Sequence, residues 1–453
     1  MSGLSGNRDS FGSKFGVIAA TAGSAIGLGN IWRFPYVVGE NGGGAFLIVY
    51  LLFVLGIGIP VMLSEFVIGR SAQKNAYGAL KELAPGKPWF LIGLMGIAAA
   101  FMILAFYTAV AGWTLEYLYQ SLANGFKGQS PEQLSAMFET FRSGSWRPVI
   151  WFLVFMGLTA WIIMSGVKNG IEKYTKILMP LLLVILLILS VRSLTLPGAG
   201  KGLEFLFRPD FSKITASCIL EALGQSFFSL SIGMGTLVTY ASYIQKNDNL
   251  ASTAVSVALA DTLIAVLAGV AIFPAVFAFG IAPGSGEGLV YITLPNIFQQ
   301  MTGGYFFSLL FFVLLAVAAL TSTISVLEVI VAYFVEELSM PRRKATWVAT
   351  LLVSVLGVMC ALSWGVMKDV SLFGMNIFGL LNFTSANILL PLGGLLIVLF
   401  VGWYLGRYKA EKELSNDGGL RARYIPLYLF VIKFLAPLAI ALVFLQGVGV
   451  LKL

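Results

Sequence analysis

The stretch Gly23-Ser-Ala-Ile-Gly-Leu-Gly-Asn-Ile-Trp-Arg-Phe-Pro35 interrupts an apolar run that is long enough to cross a membrane. Its glycines are poor helix formers and its proline lacks a backbone donor, so the sequence predicts a helix broken at mid-depth. A second break is predicted at Leu230-Ser-Ile-Gly-Met-Gly235. Irregular backbone inside a bilayer is tolerated only where protein buries it or where it lines a cavity. Two such breaks, one opening each half of the chain, therefore indicate the binding site of a transporter.

The composition is that of a polytopic membrane protein. Hydrophobic residues make up 58% of the 453 residues, charged residues make up 11%, and the mean hydropathy is +0.89. The net charge of +8 falls in loops between apolar spans, which is typical of membrane topology and does not indicate a nucleic-acid partner. The chain contains no histidine, and it shows neither a nucleophile–base pair nor a metal cluster, so an enzyme is not expected.

Because a bilayer core needs about 20 apolar residues per helix, the sequence divides into eleven predicted spans. These are residues 14–38, 43–70, 89–122, 149–166, 171–192, 215–242, 252–281, 305–338, 345–364, 372–404 and 425–448. Spans 1 and 6 carry the two breaks, so the sequence predicts an all-α integral membrane protein built as a 5+5 inverted repeat. Span 11 stands outside the repeat and is expected to be peripheral.

The basic loops set the expected orientation. Most lysines and arginines lie on the side of the N-terminus, which predicts a cytoplasmic N-terminus, an extracellular C-terminus and a multi-pass protein of the cell inner (plasma) membrane. The predicted segments are a cytoplasmic N-terminal segment (1–13), a first repeat (14–192), an extracellular connection (193–214), a second repeat (215–404), a cytoplasmic loop (405–424) and a peripheral helix with an external C-terminus (425–453).

Two outer loops are expected to be structured. The loop at 123–148 is polar and predicts a short helix from Pro131 to about Phe141. The loop at 282–304 contains an apolar stretch, Leu289 to Phe298, which fits either a lid over the transport pathway or ordinary loop packing.

A helix break leaves unpaired N–H groups at one half-helix and unpaired C=O groups at the other. The N–H end suits a carboxylate, and the C=O end suits a hard cation such as sodium. Asn30 adds a side-chain oxygen at the first break. In span 8, Thr321 and Ser322 offer hydroxyls that can complete an oxygen cage facing that break.

Intramembrane charges are costly, so each one is a candidate functional group. Structural pairing is the favoured interpretation for Glu65 and Glu328. A functional role is favoured for Asp261, because pairing with a cation keeps a buried carboxylate ionised. The phenol of Tyr107 fits either a substrate contact or a core tyrosine.

The run from Gly23 to Pro35, followed by Glu40-Asn-Gly-Gly-Gly-Ala45, resembles the neurotransmitter:sodium symporter family. So do Gly224-Gln-Ser-Phe-Phe-Ser-Leu-Ser-Ile-Gly233, Tyr240-Ala-Ser-Tyr243 and Leu320-Thr-Ser322. The chain looks most like the bacterial eleven-helix transporters of multiple hydrophobic amino acids. The resemblance implies the leucine-transporter-like fold, two bound sodium ions and a small L-amino acid as substrate.

Site residues are carried over by position. The implied first sodium site consists of Ala25, Asn30, Ser229 and Asp261. The implied second sodium site consists of Gly23, Ile26, Ala318, Thr321 and Ser322. The implied substrate contacts are Ala25, Leu28, Gly29, Ile103, Tyr107, Phe228, Ser229, Ser231, Met234, Ser322 and Val326.

The resemblance also implies gates on both sides of the site. Arg33 and Gln225 match the family's outer gate, with Asn382 where relatives hold an acidic partner of the arginine. Arg8 and Phe11 match a cytoplasmic latch. Gly170 and Pro180 match a pattern linked in the family to unwinding of helix 5, which opens the inner side.

Two positions bear on the substrate and the ions. Monoamine carriers hold a carboxylate where Gly27 stands, which favours a substrate that brings its own carboxylate. Asp261 supplies a fixed negative charge close to where chloride-dependent relatives bind their anion, which implies chloride independence.

The resulting expectation is sodium-coupled uptake of hydrophobic L-amino acids by alternating access, with no obligate protein partner. Met234 is flexible and predicts a pocket that tolerates several side chains. The alternatives are a sodium-independent or proton-coupled exchanger of the same fold, and a transport-inactive amino-acid sensor in the membrane.

Overall fold

The computed structural model describes residues 10–281 and 288–451. The described chain is almost entirely helical. Its helices are α1 Lys14–Ala25, α2 Gly29–Glu40, α3 Gly44–Ala72, α4 Ala76–Leu83, α5 Phe90–Leu122, α6 Pro131–Arg142, α7 Arg147–Met164, α8 Val167–Leu194, α9 Ala199–Phe207, α10 Ala216–Ser229, α11 Thr236–Ala241, α12 Leu250–Ala278, α13 Leu289–Thr293 continuing as Leu294–Gln300, α14 Gly304–Glu336, α15 Arg342–Ala361, α16 Ile377–Leu414 and α17 Ile425–Gly447.

The first predicted break is present between α1 and α2, whose axes are bent by 52°. The backbone groups at the break are paired locally, because the Ile26 N–H donates to the Ala22 carbonyl and the Asn30 N–H donates to the Gly27 carbonyl. The Gly27 N–H donates to the Asn30 side-chain oxygen at 3.1 Å. Asn30 therefore stabilises the break that it follows.

The second break lies between α10 and α11 and depends on left-handed backbone. Ser231, Gly233 and Gly235 have φ angles of 56°, 86° and 76°, which an α-helix cannot contain. At Gly233 a β-carbon would also contact the Leu390 carbonyl of α16. Both breaks thus fall where the glycine-rich stretches predict them.

Nine of the described helices are long and apolar enough to span a membrane, or ten when the bent pair α1 and α2 counts as one span. The predicted sixth span, 215–242, is divided into α10 and α11, and neither part reaches spanning length. The count of eleven spans and the inverted repeat therefore stay predictions.

The α-helix α14 lies at the centre of the bundle. In α14, 72% of the most apolar window is buried, against 33% in α8 and in α17. One face of α8 is exposed and aliphatic, which suits contact with lipid. It consists of Leu181, Val184, Leu187, Ile188 and Val191. The core therefore sits between the two broken helices, α5, α12 and α14.

The loops contain more structure than the sequence predicts. The expected helix from Pro131 is present as α6, with a capping box formed by Ser130 and Gln133. The expected connection 193–214 contains α9, and the predicted start of span 10 at residue 372 is wrong because a β-hairpin, β1 Ser371–Leu372 with β2 Met375–Asn376, precedes α16. The expected loop 405–424 begins as helix, since α16 runs to Leu414.

The apolar stretch of the loop 282–304 forms α13, and residues 282–287 lie outside the described residues. Tyr291 of α13 is fully buried, and its ring stacks on Phe138 of α6 with centroids 5.3 Å apart. Its hydroxyl lies 3.1 Å from the Thr114 hydroxyl of α5. Trp32 of α2 meets the same ring edge-on at 6.4 Å. We call this group the Tyr291 cluster; it attaches α13 to the bundle.

The substitution Gly233→Ala is expected to lower the melting temperature of the detergent-purified protein. A left-handed backbone costs an L-residue about 1–2 kcal/mol, and the added methyl group also meets the Leu390 carbonyl. Gly374→Ala is the matched control, because Gly374 has a φ of 75° and open space around it. Equal shifts for the two variants would contradict the close approach of α16 to the break.

Candidate functional site

A narrow cavity of about 30 Å³ lies where the two breaks meet. We call it the central cavity. It is bounded by α1, α5, α14 and the residues around both breaks. Most of the predicted substrate contacts line it: Ala25, Gly29, Ile103, Tyr107, Phe228, Ser231, Met234, Ser322 and Val326. Ser24, Gly27 and Leu104 also line it and are absent from the predicted set. Leu28 lines a cavity above it, and Ser229 lies in the hydrogen-bonded group described next.

A buried polar group, the Asn30 cluster, lies beside the central cavity. The Asn30 amide donates to the Asp261 carboxylate at 2.7 Å and to the Ser229 hydroxyl at 3.2 Å. The Ser229 hydroxyl donates to the second Asp261 oxygen at 2.6 Å. Tyr50, which the sequence reading missed, donates to that same oxygen at 3.4 Å. The structure thus brings three predicted sodium ligands together around one fully buried carboxylate.

A second group of oxygens, the Thr321 cage, faces the other side of the first break. The Thr321 hydroxyl lies 3.0 Å from the Ala318 carbonyl and 3.4 Å from the Ile26 carbonyl. The Ser322 hydroxyl lies 3.3 Å from the Ile26 carbonyl and 3.5 Å from the Gly23 carbonyl. These five residues are the predicted second sodium site, and all their converging atoms are neutral oxygens. Such a set suits a monovalent hard cation.

The N–H end of the first break meets Tyr107 of α5. The Leu28 N–H donates to the Tyr107 hydroxyl at 2.8 Å. A β-carbon at Gly27 would contact the hydroxyls of Tyr107 and Ser322, so the chain has no room there for an acidic side chain.

The predicted outer gate lies in the wall of two larger cavities, of about 200 and 390 Å³. The Arg33 guanidinium lies over the Phe228 ring, 4.4 Å from its centroid. Gln225 donates to the Gly29 carbonyl at 3.4 Å. Arg33 and Asn382 line the same cavity, but no hydrogen bond between them occurs among the described residues. Both larger cavities reach Phe228, which also lines the central cavity.

The opposite side of the site is held by aromatic packing and one ion pair. Phe11 packs edge-on against Tyr240 and Tyr243, with centroids 5.8 and 6.0 Å away. The Tyr243 hydroxyl donates to Glu328 at 2.7 Å, and Arg342 forms an ion pair with Glu328 at 2.5 Å. Arg8, the other member of the predicted latch, lies outside the described residues.

The intramembrane carboxylate of Glu65 has a structural partner. It accepts the Gly233 N–H at 2.8 Å and so holds the second break against α3. Structural pairing, the interpretation favoured for Glu65 and Glu328, matches the contacts of both residues.

The first turns of α8 are π-helical, over Val167–Glu172, and include Gly170; Pro180 lies inside the α-helix that follows. Glu172 connects this turn to the N-terminal segment. It accepts the Gly12 N–H at 2.7 Å and the Ser13 hydroxyl at 3.0 Å, and it forms an ion pair with Lys176 at 2.5 Å. The N-terminal segment is therefore attached to α8 at its π-helical turn.

A cavity at the meeting of two broken helices, with an oxygen cluster on each side of the break, defines the class of ion-coupled secondary transporters. The comparisons with known proteins agree with this class. The chain matches the Sodium:neurotransmitter symporter family over residues 8–134 and 133–452.

An uncharacterized sodium-dependent transporter of Bacillus subtilis is 41% identical over 97% of this chain and 98% of its own length. The sodium-dependent serotonin transporter of Drosophila melanogaster is 28% identical over 93% of this chain and 74% of its own length. The crystal structure of MhsT in complex with L-phenylalanine matches with a TM-score of 0.89 and 46% identity, covering 97% of this chain and all of that one. The chain belongs to the sodium:neurotransmitter symporter family, and it is a sodium-dependent transporter, not an enzyme.

Removing a hydroxyl from the Thr321 cage is expected to weaken sodium activation. Thr321→Val should raise the sodium concentration for half-maximal transport by roughly tenfold or more, the scale of losses at perturbed metal sites. Thr323→Val is the matched control, because the Thr323 hydroxyl on the same helix bonds to Thr159 at 2.9 Å and not to the cage. Sodium titration of uptake into proteoliposomes measures both variants. An unchanged sodium response in Thr321→Val would remove Thr321 from the ion site.

Proposed function

We propose that the protein is a symporter that takes up hydrophobic L-amino acids, aliphatic and aromatic, together with two sodium ions. The central cavity carries this proposal. Its walls at Ile103, Phe228, Met234 and Val326 are apolar, while its end at the first break offers the Tyr107 hydroxyl. An α-amino acid with an apolar side chain fits this arrangement, because its polar end can meet the hydroxyl at the break and its side chain can meet the apolar walls. The similar MhsT structure, which holds L-phenylalanine, supports the same substrate class.

Coupling follows from a shared ligand. In this proposal the substrate carboxylate completes the ion site formed by the Ala25 carbonyl, Asn30, Ser229 and Asp261. Each binding event then raises the affinity of the other by the same factor, because linkage is reciprocal. The second ion occupies the Thr321 cage and holds α1 against α14. Sodium running inward thus drives the amino acid inward.

Chloride is not needed in this proposal. The Asp261 carboxylate is fully buried and accepts hydrogen bonds from Asn30, Ser229 and Tyr50. It supplies a fixed negative charge beside the first ion, and that charge offsets the positive charge of sodium in a medium of low dielectric constant.

Alternating access proceeds from the conformation described above. The outer cavities lead to Phe228 and Tyr107, while Phe11 and the ion pair of Glu328 with Arg342 close the other side. Opening inward requires Phe11 to leave its tyrosines and the helix between Gly170 and Pro180 to unwind. Arg33 and Gln225 close the outer path, with Asn382 as the weak, uncharged partner of Arg33.

The finer architecture belongs to the same proposal. Ten helices form a 5+5 inverted repeat, an eleventh is peripheral, and the N-terminus lies in the cytoplasm of a cell whose inner membrane holds the protein. The two breaks support the repeat, since each opens one half of the chain.

Uptake of radiolabelled leucine and tryptophan into proteoliposomes tests the proposal. An imposed sodium gradient should drive accumulation, potassium in its place should not, and replacing chloride with gluconate should change nothing. Uptake that follows a proton gradient without sodium would instead establish a proton-coupled carrier of the same fold. Absence of both, with retained binding, would establish a sensor.

The variant Asp261→Asn isolates the role of the fixed charge. It keeps the shape of the side chain and removes its charge. Sodium-driven uptake by this variant should therefore require chloride, and it should fall at least tenfold when gluconate replaces chloride. The parent protein in gluconate is the control. A chloride-independent variant with parental uptake would show that the Asp261 charge has no part in ion binding.

A further inference from the structure

Lys433 is a charged residue inside a helix that is long and apolar enough to span a membrane. The helix α17 begins at Ile425, so Lys433 lies about 12 Å along its axis at a rise of 1.5 Å per residue. A lysine at such a depth is costly in a bilayer, and it is usually paired or functional. The transport mechanism proposed above does not use this residue.

Close packing of α16 on α17 fixes the position of this lysine. Both helices are π-helical where they meet, over Phe400–Leu405 and Val431–Leu435. A β-carbon at Gly402 would lie 3.1 Å from the Lys433 Cγ atom, so the lysine stem packs on the backbone of α16. The ammonium lies over the Trp403 ring, 5.2 Å from its centroid. This cation–π contact orients the charge without neutralising it.

No carboxylate forms an ion pair with Lys433 among the described residues. The carboxylates at the end of α16 and in the loop after it have other basic partners: Glu411 pairs with Arg407, Asp417 with Lys412, and Glu413 with Arg70 and Lys246. Because a charge at this depth is stabilised by pairing, its counter-charge is expected to come from outside the chain.

The surface around this ammonium is apolar and aromatic. Trp403, Phe430 and Phe434 have 58%, 51% and 53% of their surfaces exposed. Their rings form one continuous row, since Phe434 lies 5.8 Å from Trp403 and 5.7 Å from Phe430, between ring centroids. A cation beside an exposed apolar row matches the two parts of a phospholipid, its phosphate and its acyl chains.

Further positive charge lies at the same end of α17. Arg421 and Arg423 precede the helix, and both are exposed. Basic residues next to a membrane-spanning helix attract anionic headgroups. The charge of the surface therefore favours a lipid with a net negative headgroup over a zwitterionic one.

We propose that Lys433, Trp403, Phe430 and Phe434 form a binding site for an anionic phospholipid of the bilayer. We call it the Lys433 site. The headgroup phosphate pairs with the Lys433 ammonium, and an acyl chain lies along the three rings. This site is separate from the central cavity and does not depend on the proposed transport function.

A second copy of this chain is the competing occupant. In a two-fold symmetric contact both copies use the same patch, so two Lys433 ammonium groups would meet there without a described carboxylate to offset them. An anionic lipid supplies the missing negative charge. Charge complementarity therefore favours the lipid.

The test measures lipid binding to purified, delipidated protein by native mass spectrometry. Phosphatidylglycerol and phosphatidylethanolamine with identical acyl chains are compared, because both carry a phosphate but only the first has a net negative charge. In Lys433→Gln the affinity for phosphatidylglycerol should fall about fivefold, the contribution of one basic residue at an anionic surface, while the affinity for phosphatidylethanolamine changes less than about twofold. Lys433→Arg keeps the charge and should bind both lipids as the parent does. Equal losses for the two lipids, or no loss, overturn the proposal.

Lys81→Gln is the matched control. The Lys81 ammonium lies over the Tyr77 ring, 5.4 Å from its centroid, but Lys81 belongs to the short helix α4 outside the membrane-spanning helices. Its loss should leave the affinity for phosphatidylglycerol unchanged. Equal effects of the two lysine variants would show that the lipid responds only to overall charge, which contradicts a site at Lys433.

Fluorescence quenching locates the bound lipid and needs no variant of Lys433. The protein contains nine tryptophans, so comparison of the parent with Trp403→Phe isolates the signal of Trp403. Phosphatidylglycerol with brominated acyl chains should quench this signal more strongly than brominated phosphatidylethanolamine. Equal quenching by the two lipids would show that Lys433 only reaches interfacial water, and it overturns the proposal.

Two further outcomes exclude the other occupants. Glycerol phosphate has no acyl chain, and binding of this soluble anion as tightly as the lipid would overturn the proposal. A dimer of delipidated protein that shields Trp403 from a soluble quencher would assign the surface to a second copy and overturn it as well. All these readouts measure binding, so absence of sodium-driven uptake would refute the proposed function alone.

Discussion

The pairing of backbone groups at two broken helices is the constraint on which this structure depends. Inside a bilayer no water is available to satisfy a free N–H or C=O, so the backbone groups at each break must find their partners within the protein. The Asn30 side chain and the Tyr107 hydroxyl serve the first break, and Glu65 serves the second. Ser231 joins the two through the Ser24 carbonyl. The site is therefore assembled from the same contacts that make irregular backbone tolerable at this depth.

In the proposed function, those contacts also explain why ions and substrate would bind at one place. Carbonyls that point away from a helix end are ready-made ligands, and Thr321 and Ser322 approach them from α14, the most buried long helix. The Asp261 carboxylate is stabilised by three donors on different helices. In the proposed function, an ion bound between such groups would connect the helices, and its occupancy would be linked to their conformation.

Local chemistry made part of this architecture predictable. Glycine and proline locate the breaks, and the rarity of polar residues in apolar spans singles out Asn30 and Asp261, which are 231 residues apart and yet in contact. Tyr50 and Ser24 could not be found in this way, because a hydroxyl in an apolar run acquires meaning only from its tertiary neighbours. The helix α9 and the hairpin before α16 were missed for a related reason. They are short, and whether they form depends more on packing against the bundle than on their own hydrophobic periodicity. Which site residues bind which ion or substrate group stays a prediction.

The Glu172 side chain connects the N-terminal segment to the start of α8. The carboxylate holds Gly12, Ser13 and Lys176 at once, within the π-helical turn that precedes Pro180. The N-terminal segment and the start of α8 are thus joined through one carboxylate. Movement of the N-terminal segment away from α8 must therefore break both of its hydrogen bonds to Glu172 together.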